Sequence, residues 1–126
     1  MHGLATEKYE VTTQQIARFM KDEFALRTQC FSGQNLSENS WQVLLAIFAS
    51  TEKNQDMSVA ALSTLGGMHA TTGLRWIELL KRNGLVEISP GREIHNKTLV
   101  LTKQGKSKME RYLERVAKLG LECVAA

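Results

Sequence analysis

The segment from Ser58 to Thr102 constrains the fold more than any other part of the chain. It reads SVAALSTLGGMHATTGLRWIELLKRNGLVEISPGREIHNKTLVLT, and its hydrophobic pattern switches from helical to strand-like partway along. Ser58 can cap a short helix, VAALSTL, with Ala61, Leu62 and Leu65 on its inner face. Gly66-Gly67 then ends that helix, because glycine tolerates the left-handed backbone of a helix terminus. A second helix is expected from about Ala70. Gly73, Trp76, Ile77 and Leu80 make its inward stripe, and Thr71, Arg75, Glu78 and Arg82 the opposite one. Gly84 is a stop signal, and Leu85 can fold back onto the helix end. Two strand-like runs follow, LVEI and KTLVL, joined by SPGREIHN with its Pro-Gly turn pair. A short helix, a tight turn, a longer helix and a hairpin, in that order, describe a helix-turn-helix with a wing.

The flanks are helical. In TTQQIARFMKDEFALRTQCF, residues Ile16, Phe19, Met20 and Phe24 fall close to one face, and Thr12 or Thr13 can cap. SGQN supplies loop chemistry. Ser37 can cap ENSWQVLLAIFAS, where Trp41, Leu44, Leu45 and Phe48 form a stripe that Val43 and Ile47 widen, as a well-buried central helix needs. TEKNQD is the next loop. Thr102 can cap a last helix with Met109, Tyr112, Leu113 and Val116 on one face and Lys108, Arg111, Arg115 and Lys118 on another. The expected fold class is therefore mainly α with a small β-hairpin wing (α+β). It is read as a single domain over 1–126, with an N-terminal helix at 8–31, a winged helix-turn-helix core at 37–101 and a C-terminal helix at 102–122.

Charge distribution points to a partner. Residues 69–108 carry eight Lys/Arg against three acids, so +5. Residues 1–68 carry five against seven, so −2, and residues 109–126 balance at three and three. A localised basic surface suits a polyanion, although ordinary solvation of a surface produces charge runs as well. In a helix-turn-helix the start of the second helix meets base edges in the major groove. Small residues permit close approach, hydroxyls hydrogen-bond to phosphates or bases, and free N–H groups at a helix start favour phosphate. His69, Ala70, Thr71 and Thr72 satisfy those needs, and Arg75, one turn in, can pair bidentately with guanine. The competing reading of His69, Thr71 and Thr72 is simple capping. For Arg75 it is an ion pair along the helix, with Glu78 the one acid in reach. In the wing loop Arg92, His95 and Lys97 are the candidates for backbone or minor-groove contact, and Lys103 and Lys106 can add phosphate contacts. The recognition helix is placed at about 70–83 and the wing at about 87–100.

Three runs taken together, WQVLLAIF, MSVAALSTLGGMHATTGLRWIELLKRNGLVEI and KTLVLTKQGKSKMERYL, resemble the MarR-type winged-helix transcriptional regulators. The signature is the order of a Leu-rich helix, a recognition helix ending in Gly84-Leu85-Val86, and a wing closing on Leu101-Thr102-Lys103-Gln104-Gly105. The resemblance covers about residues 37–113. It implies a regulator that binds double-stranded DNA, most simply a repressor, with recognition contacts at Ala70, Thr71, Thr72 and Arg75. It also implies a homodimer built on residues 8–31 and 107–122. Where the family's wing carries an Asp-x-Arg pair, this sequence has Glu93 and His95, with Arg92 alongside. Family members respond to small phenolic ligands or oxidants, but the residues identify no effector. Cys30 and Cys123 fall on or beside the dimer helices. An inert thiol and a redox-sensing one are both compatible with the sequence, and Arg27 is the cation nearest Cys30 along the chain.

Other classes fit less well. A winged helix can dock proteins instead of DNA, with Trp76 or the last helix as the contact, but the outward Thr-x-x-x-Arg pattern and the basic segment speak for DNA. An enzyme is not expected. His2, His69 and His95 lack metal-ligand spacing, no Gly-rich phosphate loop occurs, and no nucleophile–base arrangement is recognisable. No cofactor and no metal are called for. Two distant cysteines, no apolar run of about 18 residues and no charged-then-apolar start lead to an expected cytoplasmic, nucleoid-associated protein without a membrane partner.

Overall fold

The computed structural model describes residues 10–34, 36–52, 57–89 and 97–125. The elements are α1 (Thr13–Cys30), α2 (Glu38–Glu52), β1 (Met57–Ser58), α3 (Val59–Ser63), a 3-10 turn (Leu65–Gly67), α4 (Ala70–Arg82), β2 (Val86–Ser89), β3 (Thr98–Leu101) and α5 (Lys103–Ala125). They divide into two compact units, Gly33–Met109 and Met1–Ser32 with Glu110–Ala126.

In the first unit, α2 supplies much of the core, as its wide stripe requires. Trp41, Val43, Leu44 and Ile47 are buried together with Leu62 of α3, Ile77 and Leu80 of α4, and Leu85, Val86, Leu99 and Met109. Leu45 and Phe48, expected at the centre of the stripe, are half-buried, so the helix is rotated toward Val43. The start of α2 is tied by two serines. Ser37 Oγ accepts from Ser40 N (3.1 Å), and Ser40 Oγ accepts from Ser37 N (3.0 Å). This reciprocal arrangement satisfies two backbone donors that a helix start otherwise leaves open.

The expected hairpin is present, with Val86 opposite Leu101 and Ser89 opposite Thr98. It is not a two-stranded wing, however. Met57 and Ser58 pair antiparallel with Leu99 and Thr98, giving a three-stranded sheet in the order β1-β3-β2. Two residues have no alternation to read, so β1 left no period in the sequence. It takes its shape from the neighbouring edge of β3. One more bond, Val59 N to Lys97 O at 3.0 Å, carries the ladder into the first residue of α3.

Gly84, Leu85, Thr102 and Gly105 form one connected joint between the end of α4, the sheet and the start of α5. Gly84 adopts φ 73°, which lets Leu85 N return to Leu80 O at 3.1 Å. Thr102 N donates to Leu85 O at 3.0 Å, and Thr102 Oγ1 donates to Gly84 O at 2.6 Å. The same hydroxyl oxygen accepts from Gly105 N (3.0 Å), capping α5. Gly105 has no choice of side chain, because a Cβ there would lie 2.1 Å from Leu85 O. The Gly-Leu and Leu-Thr-x-x-Gly runs are thus two halves of a single hydrogen-bonded contact.

The second unit pairs α1 with the C-terminal part of α5. Thr12, not Thr13, caps α1, in a capping box with Gln15. Phe31 and Tyr112 meet edge to face with ring centroids 6.2 Å apart, and both are buried. Tyr112 Oη donates to Glu23, whose carboxylate also receives Nε and Nη2 of Arg27, each at 3.2 Å. Burial by itself would raise the Glu23 carboxyl. The hydrogen bonds from Arg27 and Tyr112 and the Arg27 charge outweigh it and hold Glu23 below the ordinary carboxylate value. Burial, the bond to Glu23 and the negative charge of Glu23 push the Tyr112 phenol well up.

Of the expected apolar face of α1, Phe19 is half-buried and the rest is uncovered. Ile16, Met20 and Phe24 are exposed, and so are Leu121 and Val124 of α5. No helix among the described residues is long and apolar enough to cross a membrane.

Candidate nucleic-acid interface

The second helix of the helix-turn-helix, α4, is brought close to α3 by one glycine. Gly73 is buried, and a Cβ built on it would sit 1.7 Å from Ser63 O and 2.5 Å from Ser63 Cα. The backbones of α3 and α4 therefore touch at this point, with no room for a side chain. The turn between them is made by Gly66 (φ 68°) and Gly67 (φ 82°), both left-handed as their sequence suggested.

With Gly73, Ile77 and Leu80 fixed inward, helical geometry fixes what points out. Ala70, Thr71, Thr72, Arg75, Glu78, Lys81 and Arg82 are all exposed. Trp76 is half-buried, and its Nε1 is shielded from solvent, so the indole is not a free docking group.

The helix starts separate the capping reading from the ligand-facing one. Thr12, Ser37, Ser58 and Thr102 each cap their helix with a hydroxyl that accepts a backbone N–H. The start of α4 differs. Its N-cap is His69, which makes no side-chain cap bond. Thr71 and Thr72 lie inside the first turn, and neither hydroxyl has a partner among the described residues. The first N–H groups of α4 thus face outward beside two free hydroxyls. Arg75 is also free of an ion pair among the described residues. Glu78 pairs instead with Lys81 at 3.5 Å.

Lys97 is half-buried and holds its place through its carbonyl, which accepts from Val59 N. Arg92 and His95, the expected tip residues, lie outside the described residues. Lys103 and Lys106 are exposed on the first turn of α5. Neither the role of Gly73 as a close-approach residue nor the anchoring of the wing by β1 was read from the sequence. The apolar stripe placed Gly73 inward, which was the available signal for the first, and nothing signalled the second.

Both cysteines are free and half-buried. The cation beside Cys30 is Arg115, whose Nη1 is 3.7 Å from the sulfur, while Arg27 is engaged by Glu23. Cys123 Sγ donates to Gln15 O at 3.4 Å. Among the described residues no three His, Cys, Asp or Glu side chains gather to hold a metal ion.

No family model matches the sequence, and no curated protein matches it significantly. Solved structures do match. Staphylococcus aureus MepR in complex with DNA superposes with a TM-score of 0.66 at 14% identity, covering 85% of this chain and 83% of that one. The transcriptional regulator Tm0710 of Thermotoga maritima gives 0.62 at 17% identity, over 90% of this chain and 80% of that one. A MarR transcriptional regulator of Methanosarcina mazei Go1 gives 0.59 at 14% identity, over 90% and 79%. The chain has the winged-helix fold of the MarR-type regulators.

Proposed function

We propose that this chain is a dimeric, sequence-specific double-stranded DNA-binding transcriptional regulator, acting most simply as a repressor. The observation that carries the reading is the start of α4 on a helix-turn-helix scaffold: no side-chain cap at His69, and Thr71, Thr72 and Arg75 exposed with no side-chain partner among the described residues. One of the solved structures that share the fold is a DNA complex. In this reading Ala70, Thr71, Thr72 and Arg75 face base edges, with His69 at the phosphate next to the helix start. Lys97 and the tip residues Arg92 and His95 follow the backbone or minor groove. Occupying the duplex excludes polymerase, so no chemistry is required of the protein, and neither a cofactor nor a metal belongs to the proposal. Its compartment is the cytoplasm, with the nucleoid as the binding target.

The uncovered apolar side chains of α1 and α5 support a homodimer. Met20 and Phe24 are each 62% exposed and Leu121 is 72% exposed. Apolar side chains of that size and exposure have a reason to be covered by a second copy. A two-fold dimer presents two copies of α4 to half-sites about one helical turn, 34–36 Å, apart.

The test is selection from a random-sequence duplex pool at moderate salt. Enrichment of a two-fold symmetric motif is the expected result. Binding without enrichment would mean a non-specific, architectural role. Absence of binding at low salt would overturn the proposal and leave protein docking as the use of the fold.

A further inference from the structure

Large apolar side chains that remain exposed fall in two places. Five of the six found among the described residues are on α1 and the end of α5. The sixth is Leu74 on α4, 49% exposed. Within the described part of the Gly33–Met109 unit it stands alone: every other Leu, Ile, Val, Met, Phe or Trp there is buried or half-buried. A single exposed leucine is ordinary on a protein surface. Its position is what makes this one informative. It is one turn into the recognition helix, three residues after Thr71, four after Ala70 and four before Glu78, so it shares the outward face with the proposed base contacts. Its neighbours on that face are small or hydrogen-bonding, and about half of the leucine remains open to solvent.

Building on the DNA-binding reading above, we infer that Leu74 reads the C5-methyl group of a thymine in the major groove. The chemistry is specific. Of the four base-pair orientations, only those with thymine present an apolar group on the major-groove edge, and an aliphatic side chain is the complement to it. Cytosine offers an N4 amino donor near that place, which a leucine cannot satisfy and would desolvate. Leu74 therefore selects thymine by attraction and disfavours cytosine by leaving a donor unpaired. Arg75, its neighbour in sequence, points some 100° around the helix and would read an adjacent base pair. The expected half-site element is thus a thymine next to a guanine-containing pair.

Deoxyuridine tests this directly, because it differs from thymidine by the methyl group alone. The duplex enriched by selection is resynthesised with deoxyuridine replacing thymidine at one symmetric pair of positions at a time. Wild-type protein should lose about fourfold in affinity per half-site at one thymine position, the amount expected for one methyl no longer withdrawn from water. Leu74→Ala should bind the unmodified duplex more weakly and be indifferent to deoxyuridine at that position. Since Leu74 is half in solvent, circular dichroism of the variant should match wild type. If no thymine position is sensitive, or if Leu74→Ala keeps the same sensitivity, the inference is wrong while DNA binding stands. If no duplex is enriched or bound, the functional reading fails and takes this inference with it.

Discussion

Gly73→Ala puts the helix-turn-helix geometry to a quantitative test. Two effects oppose each other. Alanine in a helix interior is favoured over glycine by about 1 kcal/mol, so local propensity alone predicts a more stable protein. Against this, the new Cβ would lie 1.7 Å from Ser63 O, 2.4 Å from Ser63 C and 2.5 Å from Ser63 Cα. The atoms struck are backbone, which cannot rotate away. An ordinary contact begins near 3.4 Å, so α3 and α4 would have to separate by about 1.7 Å. Leu62, Ile77 and Leu80, buried where these helices pack, would lose contact as they part. Overpacking of this kind costs roughly 1–3 kcal/mol, and a backbone clash belongs at the upper end. The net expectation is a loss of about 2 kcal/mol. In urea denaturation, with a slope near 2 kcal/mol per molar, the midpoint should fall by about 1 M. Gly120→Ala is the control, since its Cβ would meet Phe19 Cε1 at an ordinary 3.7 Å. There the propensity gain should survive and the midpoint should rise. A midpoint for Gly73→Ala equal to or above wild type would refute the close approach of the two backbones.

Three further perturbations address the interface and the helix pair. Arg75→Ala should weaken binding to the selected duplex by about 1–3 kcal/mol and relax preference at one base position; an equal loss on every sequence in a competition assay would contradict base reading by this residue. Met20→Asp places a charge on the exposed face of α1 at little cost to an isolated chain, and light scattering should show the mass falling from two chains to one, whereas an unchanged dimer would locate the interface elsewhere. Glu23→Gln addresses acid stability. The Glu23 carboxyl is lowered on folding, so its contribution is present at pH 7 and is lost as pH falls below the ordinary carboxylate value toward the lowered one. The variant should be less stable than wild type at pH 7 and should lose less between pH 7 and pH 3. Urea midpoints at the two pH values check this, and an equal loss in both proteins would dismiss the network as a source of the acid dependence.

How much could be read in advance followed from how local each feature is. The caps at Thr12, Ser37, Ser58 and Thr102 depend on residues three positions apart, and each forms as its spacing implies. The outward and inward stripes of α4 follow from helical periodicity once one face is apolar. By contrast, β1 is two residues whose extended form exists only because β3 lies alongside. The pairing of Glu78 with Lys81 and not with Arg75 was one of two local options with similar small energies, so spacing could not choose between them. The proximity of Arg115 to Cys30 joins residues far apart in the chain, and no local pattern encodes it.

The sequence by itself determined the order of the helices and of the two hairpin strands, the glycine turns and the polar face of α4. Those are set by steric limits on φ and by which side chains prefer water. Only the tertiary structure decided that Gly73 is a contact between backbones and that Gly84, Leu85, Thr102 and Gly105 close into one joint. It also decided that Ile16, Met20 and Phe24 of α1, Leu121 and Val124 of α5 and Leu74 of α4 stay exposed. The physical reason is that burial is a property of neighbours. Hydrophobic periodicity says which side of a helix seeks cover, but whether cover exists depends on elements brought there by the rest of the chain.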